Sequence, residues 1–138
     1  MTEPNAFLIT TDSAAAVAHP LTLETMQASV GGWIEPVFTE PSPVASRAAG
    51  GFAITGYVNE EGMLIDMPVC AMLTYGDHIA PLAGNLLVCG LDTRTGETAA
   101  LTPEELNWIE AHTMLLAAAG KGGTIRAVHL LSLADLPA

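Results

Sequence analysis

The chain has 138 residues, with 15 acidic side chains against 4 basic ones, a formal net charge of −11 and half of its residues apolar. That length carries one domain with a core of its own. The charge balance argues against direct DNA or RNA binding, which draws on Lys and Arg at the phosphates, and no apolar run approaches the roughly 20 residues that span a bilayer.

In chain order, Met1-Thr2-Glu3-Pro4 lacks the basic and apolar stretches of a secretory signal, so the expected location is the cytoplasm. Residues 7–10 read as a first strand, followed by a polar turn and an alanine-rich connector to Pro20. Leu23, Met26, Gln27 and Val30 recur at i, i+3, i+4, i+7, which predicts an amphipathic helix over about 21–31 with Thr22 as N-cap. Gly31 or Gly32 ends it, because glycine reaches the left-handed C-cap conformation without a Cβ clash. Residues 33–38 alternate as a strand, with Trp33, Glu35 and Val37 on one face. Pro36 has no N–H to donate and so marks an edge strand or a bulge.

Residues 40–51, with two prolines and a Gly pair, read as a flexible loop. A strand over 52–58 then meets the turn Asn59-Glu60-Glu61-Gly62, which feeds Met63-Leu64-Ile65 as the second arm of a hairpin. Pro68 at a first helical position suggests a short helix over about 68–74. Residues 84–91 are apolar on both faces and belong in the middle of a sheet, and 92–97 form a polar turn. Thr102, Pro103 and Glu105 spell a capping box, with Leu101 placed to staple onto Leu106, and open a helix over about 102–119 that Gly120 stops. A strand over 124–133 closes the chain. The expected fold is a single α+β domain over 1–138: a mixed sheet of about five strands packed against two main helices and one short one.

With those elements placed, the chain resembles a family of small phage and bacterial proteins known as domain of unknown function 3846. The resemblance rests on Leu23, Gln27 and Val30-Gly31-Gly32-Trp33-Ile34-Glu35, then Asn59-Glu60-Glu61-Gly62, Pro68 and Ala71, then Gly84-Asn85-Leu86-Leu87-Val88. The chain departs from the family pattern at Cys70, where an asparagine is usual. Residues 40–51 and the elements after Ala100 look longer than the family needs. The resemblance implies a small α+β domain carried by phages and other mobile elements, and it implies no activity.

The residues argue against most enzymes. His19, His78, His112 and His129 are scattered, with no metal-binding spacing, and no phosphate loop or nucleophile motif is present. Cys70 and Cys89 have no CxxC spacing and read as free, buried thiols. No metal and no cofactor is expected. The candidate ligand-binding residues are Gln27, Gly31, Gly32, Trp33, Glu35 and Asn59: an indole to stack, and amides and a carboxylate to read hydrogen bonds. Trp108 lies off the main apolar stripe of its helix, and its simplest role is packing.

Two functions follow as expectations. One is a non-enzymatic accessory protein that binds a host or phage protein, with its negative field drawing in a basic surface. The other is a small-molecule binder, such as a nucleotide sponge, built on the Gln27, Trp33, Glu35 and Asn59 set. Self-association into a homo-oligomer is compatible with either.

Overall fold

Leu86, Leu87, Val88 and Cys89 are all fully buried, and a strand buries both its faces only when a layer covers each of them. In the computed structural model, which describes residues 3–62, 64–75, 77–118 and 127–133, those layers are a second sheet on one side and a helix on the other. The first half of the chain comprises β1 (Ala6–Ile9), β2 (Ala14–Val17), α1 (Leu23–Val30), β3 (Ile34–Pro41), α2 (Ala45–Ala49) and β4 (Phe52–Asn59). The second half comprises β5 (Val69–Tyr75), β6 (His78–Ala83), β7 (Leu86–Asp92), β8 (Glu97–Ala99), α3 (Pro103–Ala111), β9 (Thr113–Ala118) and β10 (Ala127–Ser132).

The larger sheet runs β2-β1-β7-β4-β3, with β8 added beside β7, and the smaller runs β6-β5-β10-β9. Along β7 the side chains alternate between two cores. Leu86 and Val88 join Phe7, Ile54, Leu73, Ile109 and Leu131 between the sheets and α3, whereas Leu87 and Cys89 meet Met26 and Val30 of α1 on the opposite face. Residues expected in the middle of a sheet therefore lie there. Pro36 is at an edge and at an irregularity together, since β3 ends the larger sheet and its register with β4 slips between Pro36 and Phe38.

The α+β class holds, with two sheets in place of one. Residues 68–74, expected as a short helix, contribute instead the strand β5, which pairs antiparallel with β6 and parallel with β10. Val-Cys-Ala-Met-Leu is compatible with either state when read alone, and pairing on both sides makes it a strand, with Leu73 opposite Ala80 of the next strand and opposite Leu131 far along the chain. The helix expected over 102–119 stops at Ala111 for the same reason. Met114 and Leu115 pair with Leu130 and His129, and the turn out of α3 is closed by His112 Nδ1 against the Trp108 carbonyl and by Thr113 Oγ1 donating to the Ile109 carbonyl.

The alanine connector is the strand β2, hydrogen-bonded to β1. After the Asn59 turn the described residues 64–66 are turns where a hairpin arm was expected: the Ile65 N–H donates to the Glu61 carbonyl and the Met67 N–H to the Gly62 carbonyl. Met63, Gly120 and 124–126 lie outside the described residues.

The segment 40–51, expected as a loop, carries the end of β3 and the short helix α2, and a buried carboxylate fastens it. Glu105 completes the capping box of α3, accepting from the Thr102 N–H at 2.9 Å while the Glu105 N–H donates to Thr102 Oγ1 at 3.2 Å. Its side chain is fully buried. Ser42 Oγ donates to Oε2 at 2.6 Å, and Arg47 Nε lies 3.2 Å from Oε1 as an ion pair, without the alignment of a hydrogen bond. The Arg47 guanidinium sits 4.1 Å over the Phe52 ring. A carboxylate buried without such partners would cost several kcal/mol.

Both cysteines are buried and neither forms a disulfide, and burial pushes the Cys89 thiol up to about 12. Tyr57, on the same face, is raised by burial first and by Cys89 second. Folded Cys89 keeps its proton above the pH at which an unfolded thiol loses it, so its share of stability is complete below the ordinary value of 9.0 and is lost as pH rises toward 12.

Two outcomes are expected. Glu105→Ala lowers unfolding free energy by roughly 3 kcal/mol and Ser42→Ala by about 1–2 kcal/mol in urea titrations. Iodoacetamide at pH 8 labels neither cysteine in the native protein and both after denaturation, and the urea midpoint falls between pH 9 and 11 less steeply in Cys89→Ala.

Candidate functional site at the end of the first helix

A helix leaves its last carbonyls without internal partners. At the end of α1 those of Gln27, Ser29 and Val30 are each taken. Gly31, at φ +82°, adopts the left-handed C-cap, and the N–H groups of Gly31 and Gly32 both donate to the Gln27 carbonyl, at 2.9 and 3.0 Å. Asn85 Nδ2 donates to the Ser29 carbonyl at 2.9 Å. Asn59 Nδ2 donates to the Val30 carbonyl at 3.3 Å, while its Oδ1 accepts from the Glu61 N–H at 2.8 Å.

Gly32 is needed for that last contact, because a Cβ there would lie 2.8 Å from Asn59 Nδ2. Met67 fills the space beyond, its Cε 3.4 Å from where a Gly31 Cβ would stand. The segments at 30–35, 59–62 and 84–88, remote in sequence, thus meet at one helix end.

This gathers Gln27, Gly31, Gly32 and Asn59, although Gln27 takes part through its backbone carbonyl. Asn59 is 6% exposed, with both ends of its amide engaged. Trp33 and Glu35 are turned away from this junction. Trp33 is 65% exposed and Glu35 is exposed two residues on, on the same side of the chain, while Ile34 between them points into the α1 core. The Trp33 carbonyl accepts from the Glu60 N–H at 2.9 Å, which ties the backbone at Trp33 to the turn that carries Glu60 and Glu61.

Glu35 and Glu60 flank a shallow hollow of about 140 Å³, floored by Val58, Pro81 and Leu82, well below the roughly 300 Å³ at which small-molecule sites usually begin. A second hollow of about 240 Å³ lies against the end of α1, lined by Ser29, Met67, Cys70 and Asn85. There the Cys70 thiol faces the Pro68 carbonyl at 3.7 Å and Asn85 is already bonded to Ser29.

Several other polar groups serve the fold. His19 Nδ1 lies 2.6 Å from the Pro20 carbonyl and Nε2 contacts Ser29 Oγ. His112 stacks on Trp108, with centroids 3.9 Å apart, and Trp108 is half-buried against the main core. Burial lowers the His129 pKa. Arg94 bonds Asp92 through its guanidinium and its backbone N–H, which holds the Asp92 carboxyl below its ordinary value. Among the described residues no three His, Cys, Asp or Glu side chains come close enough to hold a metal, and no helix is long and apolar enough to cross a membrane.

Asn85 and Glu60 escaped sequence reasoning. The Gly-Asn pair at the head of an apolar strand was a signal for Asn85, since a residue with two amide donors beside a glycine often serves a cap. Nothing local linked Glu60 to Glu35.

The fold and this junction define a small α+β domain of two facing sheets, with a helix closed at its C-terminus by asparagines from two other segments. The family described as domain of unknown function (DUF3846) matches residues 3–114, and the chain belongs to that family. The match takes in 40–51 and α3, both of which the sequence pattern set apart from it; residues 1–2 and those after 114 lie outside it. No curated protein and no solved structure matches the chain.

Substitutions separate the junction from the exposed face. Asn59→Ala, which leaves the Val30 carbonyl and Glu61 N–H unpaired, lowers stability by about 1–3 kcal/mol. Gly32→Ala also destabilises, by displacing Asn59. Trp33→Ala stays within about 0.5 kcal/mol of the parent. Chemical denaturation of the three variants checks all of this.

Proposed function

We propose that this chain is a non-enzymatic accessory protein of a phage or mobile element, acting in the host cytoplasm by binding a host or phage protein through the face that carries Trp33 and Glu35. Inhibition of a defence or nucleic-acid enzyme is one concrete form of that role. The observation that carries the reading is the exposed indole on a fixed frame. Trp33 stands between a closed helix end and a paired strand, so its position costs little further entropy on binding, and a rigid exposed aromatic is the usual anchor of a protein interface. Leu64 (85% exposed) and Ile65 lie in the turn region that follows Glu60 and Glu61. Apolar groups rimmed by charge are the composition of an interaction surface.

The nucleotide-sponge alternative draws less support. The Asn59 amide is spent inside the fold, and the hollow beside Glu35 is small for a base and sugar. The binding role is tested by affinity capture from host lysate at low and moderate salt, with wild type and Trp33→Ala side by side. A specific partner kept by wild type and lost by the variant is the expected result. Identical captures, or none, remove the reading. A thermal shift with a nucleotide library that Trp33→Ala abolishes would instead favour the sponge, since a ligand at 100 times its Kd adds roughly 2.7 kcal/mol.

A further inference from the structure

Both described arginines are held in one way, by a carboxylate at the guanidinium edge and an aromatic ring at its face. Arg47 pairs with Glu105 at 3.2 Å and lies 4.1 Å over Phe52. Arg94 pairs with Asp92 at 3.2 Å and lies 5.7 Å from the same ring. A planar cation is suited to this double contact, since its N–H fork meets the carboxylate while its face meets the ring.

Trp33, Glu35 and Glu60 present the same groups at the far end of β4 from Phe52, with no Lys or Arg paired to them among the described residues. The indole is the better ring for a cation, and the two carboxylates flank a hollow of about 140 Å³. We infer that this face takes an arginine side chain of the protein partner, its guanidinium seated between Glu35 and Glu60 and against the Trp33 indole. The inference rests on the protein-binding reading above and names the chemistry of the partner.

Strand addition does not provide the contact. β3 is the edge beside this face, but Pro36 has no N–H and the pairing slips next to it, two features that block an edge from taking another strand. Recognition therefore falls to side chains. The charge balance points the same way: Glu61 and Asp66 are also exposed nearby in the chain, so an acidic or neutral partner gains nothing here, whereas a basic one is both steered and paired.

The probe is the blocked hexapeptide acetyl-(Arg-Gly)3-amide, with its lysine and citrulline counterparts, followed by NMR at the indole N–H of the intact protein. The arginine peptide should shift the Trp33 signal and leave that of Trp108 in place, bind at least threefold more tightly than the lysine peptide, and outbind the citrulline peptide by more. Glu35→Gln/Glu60→Gln should weaken binding at least fivefold. Glu97→Gln/Glu104→Gln, which carries the same net charge but alters exposed acids at the other end of the sheet, should weaken it less than twofold.

Equal losses in the two double variants would mean that only the overall charge is felt, and would overturn the inference, as would equal binding of lysine and arginine or an unmoved Trp33 signal. If Trp33→Ala loses a captured protein while the arginine peptide leaves Trp33 unmoved, the arginine inference falls and the protein-binding role stands.

Discussion

The unsatisfied carbonyls at the end of α1 are the constraint on which the rest of this molecule depends. A short helix packed into a core cannot leave them facing apolar side chains, since each buried, unpaired carbonyl costs on the order of 1–3 kcal/mol. The chain meets the demand with groups from three separate segments: the glycine N–H groups at 31 and 32, the Asn59 amide and the Asn85 amide. Because Asn59 ends β4 and Asn85 precedes β7, closing the helix also sets where it sits against the central strands of the larger sheet. Gln27, Gly31, Gly32, Asn59 and Asn85, five of the residues on which the family resemblance rests, meet at this one junction, whereas Trp33 and Glu35 do not.

A second fastening works at the other end of β4. Glu105 ties α3 to the segment that carries α2, and Arg47 ties both to the ring of Phe52. With β4 held at each end, the exposed residues beyond Asn59 stand on a fixed base. For the proposed binding role this is the link from packing to function, since an exposed surface binds usefully only when the backbone beneath it is already ordered.

Local rules carried some elements and failed at others for identifiable reasons. The cap of α3 and the stop of α1 were legible because Thr102, Glu105 and Gly31 act on backbone groups within four residues of themselves. The central place of 86–89 was legible because apolar side chains on both faces demand two covering layers. The strands β5 and β9 were not, because Val69–Tyr75 and Thr113–Ala118 contain residues at home in a helix, and it is pairing, of β5 with β6 and β10 and of β9 with β10, that makes them strands. Of the candidate site, residue identities suggested one polar pocket; the fold distributes them, with Asn59 inside as a clamp and Trp33 and Glu35 outside.

The sequence by itself determined the α+β class, the caps that open α1 and α3 and the glycine that ends α1, the buried run of β7, the family and the scarcity of positive charge. Each of these depends on composition or on neighbours a few residues apart. Only the tertiary structure decided that there are two sheets, that Gly32 leaves the room Asn59 needs, and that Glu35 and Glu60 share one hollow. Those facts are distances between residues far apart in the chain, and short-range spacing holds no information about which distant segment will supply a partner.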